Sequence, residues 1–290
     1  MTERSVKVAA IQVRLRSESS RAREINLKRA IELMNDAVSM NVDVICLPEL
    51  FLGAGTVEEW SSPTVRELCD FARGNSVYVI PNLYIHDEEG KFSASPLINR
   101  KGEIVGVYKK THLFPWEYRF TKLKLGSDLP VFDTEFGKIG ILICQDAMVP
   151  EAPRVMALKG AEILFVQSRM PGPFLVPWRD VMRVRAIENQ VYLVSVGGAG
   201  YDAIGTVMVA PRLVNDVIVE AGREEQVVTA TLDLEWLREV RKRENQPLYY
   251  VKSVEDMRRG LKETLSYTFP LDRNPKLYSK IVEPYDPTEF

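Results

Sequence analysis

The chain has 290 residues, 46% of them hydrophobic, which is enough to form one large core or two domains. Its 38 basic and 40 acidic residues give a formal net charge of -2, without the basic stripe that binds nucleic acid. No apolar run reaches the roughly 18 residues that a membrane span needs, and the N-terminus lacks the apolar core of a signal peptide. The composition therefore predicts a cytoplasmic protein whose partners are neither nucleic acids nor membranes.

Cysteine and histidine are scarce, and this limits the chemistry that the chain can perform. The three cysteines, Cys46, Cys69 and Cys144, include no C-x-x-C pair, which argues against a disulfide framework or a zinc site and favours a reducing compartment. Any Cys-His scheme or His-rich metal site would have to use His86 or His112, the only two histidines. We therefore expect no metal site. We also expect no cofactor, since no G-x-x-x-x-G-K-[ST] motif occurs and the near match to a dinucleotide fingerprint at Gly198 and Gly200 is followed by a predicted strand where a helix is required.

Hydrophobic periodicity predicts strands and helices that alternate along most of the chain. Strands are predicted over residues 5–14, 42–47, 76–85, 94–99, 103–109, 131–133, 139–143, 161–167, 191–196, 204–210, 215–220 and 226–232. Helices are predicted over residues 27–38, 62–74, 150–159 and 177–189. Short turns at residues 100–102 and 135–137 predict hairpins. This mixture of helical crossovers and hairpins predicts an α/β sandwich with mixed sheets, not a purely parallel doubly wound sheet.

We predict one domain over residues 1–243, since no linker rich in Pro, Gly or Ser and no internal repeat interrupts this part. Residues 244–290 are predicted to form a C-terminal extension with a short helix over residues 253–265. The end of the extension is rich in proline and tyrosine, whereas disordered tails are poor in aromatic residues. The extension is therefore expected to pack on the body or on a partner subunit.

Three predicted strands end in groups that could take part in catalysis. Glu49 follows the second strand, Lys109 and Lys110 end the fifth, and Cys144 follows the seventh. Because α/β proteins keep their active-site groups at the carboxyl ends of strands, one pocket could hold a carboxylate, an ammonium and a thiol. The other two cysteines lie inside a strand and on the apolar face of a helix, so we expect them in the core.

Each of these groups has a task in acyl transfer. The thiolate of Cys144 would be the nucleophile, Glu49 could remove its proton, and an ammonium could stabilise the oxyanion of a tetrahedral intermediate. The backbone N–H of Gln145 could be a second oxyanion donor. Adjacent strand residues point to opposite faces, so only one of Lys109 and Lys110 can enter the pocket, and strand geometry alone leaves the choice open.

Three sequence blocks, in this order and spacing, resemble the signature of the nitrilase superfamily, also called the carbon–nitrogen hydrolase superfamily. The blocks are Leu47-Pro48-Glu49-Leu50, Tyr108-Lys109-Lys110-Thr111-His112-Leu113-Phe114 and Gly140-Ile141-Leu142-Ile143-Cys144-Gln145-Asp146. Further similar stretches lie at residues 150–151, 159–162 and 185–192, and the similarity covers about residues 5–235.

The resemblance implies a fold, a catalytic triad and an assembly. The implied fold is a four-layer α-β-β-α sandwich, and the implied triad is Glu49, Lys110 and Cys144, with the preceding lysine facing outward. Family members often carry a further glutamate after the lysine; Glu117 is the nearest candidate, and a loop carboxylate in solvent is the alternative. His112 is expected to hold the lysine loop by hydrogen bonds. A homodimer or a higher homo-oligomer is also implied.

The resemblance further implies an amidohydrolase that cleaves a small amide or N-carbamoyl compound through a thioester and releases ammonia or an amine. Gln145-Asp146 is nearer to the amidase and carbamoylase branch than to true nitrilases, which tend to have Trp-Glu after the nucleophile. Hydrolysis of a nitrile and a non-catalytic interaction module are the alternatives. Arg169 is a candidate anchor for a carboxylate at the far end of the substrate, and a solvated loop arginine is the alternative.

Overall fold

The computed structural model describes residues 5–16, 21–169, 177–200, 203–212, 215–244 and 278. The predicted C-terminal extension over residues 244–290 lies almost entirely outside the described residues, as does its helix over residues 253–265, so both stay predictions. Among the described residues, no helix combines the length and the apolar character that crossing a membrane requires.

The strands of the described residues form two sheets. The first sheet contains β1 (Ser5–Gln12), β2 (Val44–Cys46), β3 (Val57–Glu58), β4 (Tyr78–Ile80), β5 (Leu83–Asp87), β6 (Gly90–Ile98), β7 (Ile104–Lys109) and β14 (Gln226–Asp233). The second contains β8 (Val131–Asp133), β9 (Lys138–Ile143), β10 (Ile163–Gln167), β11 (Tyr192–Val196), β12 (Val207–Val209) and β13 (Val217–Glu220). The helices are α1 (Ala22–Ser39), α2 (Pro63–Asn75), α3 (Pro115–Phe120), α4 (Glu151–Leu158), α5 (Trp178–Asn189) and α6 (Leu234–Glu244).

Both sheets are mixed. The first runs in the order β14-β1-β2-β4-β6-β5-β3, with β7 also paired to β6, and its β1, β2 and β4 are parallel. The second runs in the order β13-β12-β11-β10-β9-β8, and its central strands β9, β10 and β11 are parallel. The hairpins predicted at residues 100–102 and 135–137 join β6 to β7 and β8 to β9, which confirms them.

Two apolar cores stack these elements into four layers. The core between the first sheet and helices α1 and α2 includes Leu27, Met34, Ile45, Leu68 and Val79. The core between the two sheets, which continues under α4 and α5, includes Val8, Cys46, Ile141, Met156, Phe165 and Met182. The predicted α-β-β-α sandwich is therefore confirmed.

Several elements differ from the sequence prediction. Pro81 and Asn82 split the strand predicted over residues 76–85 into β4 and β5, since proline cannot donate to a strand ladder. Both pieces pair with β6. Helix α2 does not end at Gly74 but one residue later, before Ser76 takes a left-handed conformation with φ 53°. Helices α3 and α6 were not predicted.

One buried glutamine joins the two sheets where strands β2, β4 and β10 end. The side-chain amide of Gln167 donates hydrogen bonds to the carbonyl oxygens of Leu47 at 2.8 Å and Ile80 at 3.0 Å. Its side-chain oxygen accepts a hydrogen bond from the Ser95 hydroxyl at 2.5 Å. The carboxyl ends of strands from both sheets therefore meet at one edge of the sandwich.

Candidate active site

A buried lysine lies between two buried carboxylates at this edge. Lys110 Nζ donates hydrogen bonds to Glu49 Oε1 at 2.8 Å and to Glu117 Oε2 at 2.7 Å. All three side chains are between 1% and 5% exposed. Buried charges persist only when they are paired, and one ammonium cannot neutralise two carboxylates. The cluster therefore favours the uptake of a proton by one of its acids.

The two adjacent lysines lie on opposite faces of the strand end, and only Lys110 enters the site. Lys109 ends β7 on the opposite face, where its Nζ lies 3.0 Å from Asp87 Oδ2 and 2.5 Å from Glu89 Oε2. Lys110 follows directly, and its backbone N–H donates to the carbonyl oxygen of Ser93 at 2.9 Å, which extends the β6–β7 pairing by one residue. The lysine that faces inward is the one that the family resemblance implied.

Glu49 is held by contacts with both sheets. Its Oε2 accepts a hydrogen bond from the backbone N–H of Arg169, which follows β10, at 3.0 Å. The next residue, Leu50, has φ 53°, and its N–H donates to Oδ1 of the buried Asn82 at 2.9 Å. Asn82 also donates to the Ser95 hydroxyl at 3.1 Å, which connects it to the inter-sheet glutamine. The turn that carries this carboxylate is therefore fixed from two directions.

Glu117 lies inside the cluster, and the alternative of a solvated loop carboxylate is wrong. Its side chain is 2% exposed and lies in the first turn of α3. Its Oε2 accepts a hydrogen bond from the backbone N–H of Phe114 at 2.8 Å in addition to the one from Lys110. Pro115 at the first helical position and a glutamate at the third are sequence signals for such a helix start, but six residues are too few to show periodicity.

Cys144 begins a 3-10 turn, Cys144–Met148, directly after β9. Its φ of 49° is uncommon for a residue other than glycine, and it makes the chain turn sharply at the strand end. The side chain is nearly buried, and the Ser168 hydroxyl donates a hydrogen bond to its Sγ at 3.7 Å. A thiol therefore stands at the end of β9, at the edge where the buried lysine cluster lies.

The charges of the site act on one another. Burial raises the pKa of the Cys144 thiol, the Glu49 carboxylate raises it further and the Lys110 ammonium opposes them, so the resting thiol is protonated and needs a base. Desolvation lowers the pKa of Lys110, but the surrounding acids outweigh it and raise this pKa, which makes the lysine a permanent cation. Burial and the Glu49 charge raise the pKa of Glu117 against the effect of Lys110. Glu117 and the Cys144 thiol therefore keep a proton more readily in the site than they would in water.

Asp146 is a fully buried carboxylate that the sequence analysis gave no role. Its Oδ1 accepts hydrogen bonds from the backbone N–H of His112 at 2.8 Å and from the Thr111 hydroxyl at 3.1 Å. Its Oδ2 accepts the backbone N–H of Ile143 at 2.9 Å. Asp146 therefore ties the turn of the nucleophile to the loop after the lysine, and the backbone of His112 takes part in holding that loop. Because the partners lie more than thirty residues apart in sequence, no local signal reveals this contact.

The other two candidate site residues lie beside the cluster. Gln145 is half-buried and follows Cys144 in the 3-10 turn. Arg169 is also half-buried, and it contacts Glu49 through its backbone N–H, so its guanidinium is not used in that contact. All the residues that the sequence analysis singled out as candidates thus lie at or next to one edge of the sandwich.

An α-β-β-α sandwich with a buried thiol, lysine and carboxylate at the strand ends is the arrangement expected of a hydrolase with a cysteine nucleophile. The chain belongs to the carbon–nitrogen hydrolase family, whose sequence model matches residues 7–242. It is therefore an enzyme that hydrolyses carbon–nitrogen bonds other than peptide bonds, as the sequence analysis predicted.

Individual relatives agree with this assignment. The chain is 30% identical over 228 residues to a probable nitrilase of Schizosaccharomyces pombe, which covers 77% of this chain and 75% of the relative. It is 29% identical over 267 residues to the omega-amidase NIT2 of Danio rerio, with coverage of 82% and 95%. The solved structure of Saccharomyces cerevisiae Nit3, a member of branch 10 of the nitrilase superfamily, superimposes with a TM-score of 0.73 at 25% identity, covering 88% of this chain and 97% of Nit3.

Proposed function

We propose that this enzyme hydrolyses a small amide or N-carbamoyl compound with Cys144 as the nucleophile, Glu49 as the general base and Lys110 as a fixed cation. The observation that carries the proposal is the buried ammonium of Lys110, which is bound to Glu49 at 2.8 Å and to Glu117 at 2.7 Å. The charge of this ammonium also lowers the pKa of the Cys144 thiol, against the effect of burial. A protonated thiol, a carboxylate and a cation in one water-poor site are the parts that covalent acyl transfer requires.

In the first half-reaction, Glu49 takes the proton of the Cys144 thiol and the sulfur attacks the amide carbon. The carbonyl electrons move to the oxygen, and the resulting oxyanion is stabilised by the Lys110 ammonium and the backbone N–H of Gln145. When the tetrahedral intermediate collapses, the C–N bond breaks and the leaving nitrogen takes the proton from Glu49. Ammonia or an amine departs, and the acyl group remains as a thioester.

In the second half-reaction, Glu49 is a carboxylate again and removes a proton from water, whose oxygen attacks the thioester carbon. Collapse of the second intermediate breaks the C–S bond, the sulfur takes from Glu49 the proton that came from water, and the acid is released. Lys110 keeps its positive charge through both half-reactions, so the same ammonium stabilises the oxyanion of each tetrahedral intermediate. Glu117 is proposed to hold that ammonium in place between the two carboxylates.

The proposed substrate is an amide and not a nitrile. Gln145-Asp146 after the nucleophile is similar to the amidase branch, and one relative is named an omega-amidase. Arg169 is proposed to bind a carboxylate at the far end of the substrate, since a guanidinium binds carboxylates through two parallel hydrogen bonds. Ammonia release from matched amides and nitriles separates the two reactions, and faster release from the nitriles would overturn this choice.

We also propose that the protein is a cytoplasmic homodimer or a higher homo-oligomer. Helix α3 presents Trp116, Tyr118 and Phe120 to solvent, with exposed fractions of 43%, 59% and 72%. Clustered exposed aromatic side chains are typical of interaction surfaces. The extension over residues 244–290 is proposed to contribute to the same assembly. Light scattering on the full chain measures its mass, and a monomer would contradict the proposal.

Replacement of Cys144 by alanine tests the catalytic mechanism. We expect a folded protein whose kcat falls by about four orders of magnitude or more, because covalent catalysis is lost. Cys46, which is buried within β2, supplies the matched control, and Cys46→Ala should keep the wild-type kcat even if its melting temperature falls. Ammonia release measures the activity and circular dichroism the fold. Wild-type turnover by the Cys144→Ala protein would exclude a cysteine nucleophile.

A further inference from the structure

The hydroxyl group of Tyr84 is buried without a hydrogen-bond partner among the described residues. Tyr84 lies in β5 and is 2% exposed. Buried hydroxyl groups nearly always find a partner, because burying one unpaired is destabilising. The proposed reaction does not use this group, so its position requires another explanation.

Tyr84 lies between the two segments that carry the catalytic groups. It pairs with Ser93 across β5 and β6, and the carbonyl oxygen of Ser93 accepts the backbone N–H of Lys110 at 2.9 Å. Its side chain packs in a small cluster with Leu50, which follows the catalytic glutamate, and with Leu113, which lies in the loop after the lysine. The side chain therefore forms part of the wall of the candidate active site.

Carboxylates and cations both lie near the Tyr84 hydroxyl. Burial raises the pKa of Tyr84, and the charges of Glu117 and Glu49 raise it further, so the hydroxyl is a neutral donor at physiological pH. The guanidinium of Arg169 also acts on this hydroxyl, and the ammonium of Lys91 lies 5.6 Å from the centre of the ring. Lys110 binds both of these carboxylates, and with one of them protonated that cluster is neutral. This leaves the guanidinium of Arg169 and the ammonium of Lys91 as cations beside the donor, and they favour an acceptor with negative charge, such as a carboxylate.

We infer that the Tyr84 hydroxyl donates a hydrogen bond to a carboxylate of the substrate, next to Arg169, and thereby selects amides that carry an acid group. This inference rests on the proposed amidase function and adds a specificity-determining residue to it. The hydroxyl, which has no hydrogen-bond partner in the described part of the chain, gains one when such a substrate binds. A site that hydrogen-bonds one substrate group discriminates strongly against an analogue without that group.

The test compares Tyr84→Phe with wild type on two amides of equal length, glutaramate, which carries a carboxylate, and valeramide, which does not. The variant should lower the preference for glutaramate, as the ratio of kcat/KM values, by roughly ten- to a hundredfold, mostly through KM, since one hydrogen bond to a charged group is lost. Its melting temperature should equal or exceed that of wild type, because an unpaired buried hydroxyl has been removed. Tyr192→Phe is the matched control. That hydroxyl donates to the carbonyl oxygen of Asp233 at 3.1 Å, so its loss should lower the melting temperature and leave the preference unchanged.

Other outcomes separate this inference from the proposed function. If wild type hydrolyses both amides and Tyr84→Phe keeps the same preference, the inference is wrong and the amidase function stands. If wild type hydrolyses neither amide, the amidase function fails on these substrates, and calorimetry with glutarate on Cys144→Ala and Cys144→Ala/Tyr84→Phe decides the inference. Weaker binding to the double variant supports the role of Tyr84, whereas equal binding, or no binding to either protein, overturns it.

Discussion

Two adjacent lysines build two ion clusters of the same composition on opposite faces of one strand end. Lys109 lies within 3.0 Å of Asp87 and Glu89, and Lys110 lies within 2.8 Å of Glu49 and Glu117. The Lys109 side chain is 24% exposed and that of Lys110 is 1% exposed. One ammonium and two carboxylates thus occur together once at the partly exposed surface and once in the protein interior.

The difference between the clusters shows that burial changes the chemistry of an ion pair. In the outer cluster, burial works against the ionised form of Asp87, but hydrogen bonds from Lys109 and a backbone N–H prevail and lower its pKa. In the inner cluster, burial together with the charge of Glu49 raises the pKa of Glu117 despite the adjacent ammonium. The outer carboxylate is therefore a stable anion, whereas the inner carboxylate takes up a proton at a higher pH than an isolated glutamate does.

The largest difference between the two clusters is expected when each lysine is removed in turn. Lys110→Ala should lower kcat by about three orders of magnitude or more and destabilise the fold by about 3–5 kcal/mol, because two buried carboxylates lose their cation. Lys109→Ala should keep the wild-type kcat and change the free energy of unfolding by no more than about 1 kcal/mol, as expected of an exposed ion pair. Steady-state kinetics and urea unfolding measure both effects. A similar loss of kcat in the two variants would remove the distinction between the clusters.

A smaller effect is expected from neutralising one carboxylate in each cluster. Glu117→Gln keeps the shape of the side chain but removes the charge that holds the ammonium of Lys110, so kcat should fall by roughly ten- to a hundredfold. Glu89→Gln, in the outer cluster, should leave kcat within about twofold of wild type. If Glu117→Gln turns over at the wild-type rate, the inner cluster needs only one of its two acids.

The smallest effect is the pH dependence of stability, and it has opposite signs in the two clusters. The folded-state pKa of Glu117 is raised above the ordinary value of 4.5, so its contribution to stability is fully present below that pH and is lost as the pH rises through the folded pKa. The folded-state pKa of Asp87 is lowered below the ordinary value of 3.8, so its contribution is present above that pH and is lost as the pH falls.

Neutral variants should make these opposite signs measurable. Relative to wild type, Glu117→Gln should become more stable as the pH rises above 4.5. Asp87→Asn should be less stable than wild type near neutral pH, and this deficit should shrink as the pH falls below 3.8. Urea midpoints between about pH 3 and pH 7, each taken as the difference from wild type, measure both trends. If the stability differences of the two variants changed with pH in the same direction, the pKa values of Glu117 and Asp87 would not be shifted in opposite directions, and the prediction would be wrong.

The mixed α/β sandwich and the strand-end residues could be predicted from the sequence because their signals are local, whereas the four-layer arrangement came from the family resemblance. Short apolar runs locate the buried strands, and Glu49 and Cys144 follow two of these runs directly. The choice between Lys109 and Lys110 could not be made from strand geometry, since both faces of the strand end carry a lysine. Only the resemblance to a known family selected the inner one.

The remaining parts of the site depend on contacts between distant segments. Glu117 lies in a helix of six residues, which is too short for periodicity to reveal. Asp146 contacts Thr111, which lies 35 positions earlier in the sequence. Tyr84 is placed by the strand order β4-β6-β5, in which β6 lies between two strands that are consecutive in the sequence. Sequence patterns place residues on elements, whereas sheet order decides which elements meet.

The inter-sheet bond of Gln167 has a consequence for how the protein comes apart. Its side-chain amide donates hydrogen bonds to two carbonyl groups of the first sheet in the protein interior. If the two sheets separated here, the amide and both carbonyl groups would lose these hydrogen bonds, so the sheets stabilise each other. The sandwich should consequently melt as one cooperative unit, and a calorimetric scan should show a single heat-absorption peak for the body of the chain. In Gln167→Leu, that peak should broaden or divide, and the decline of activity on heating should then begin before global unfolding.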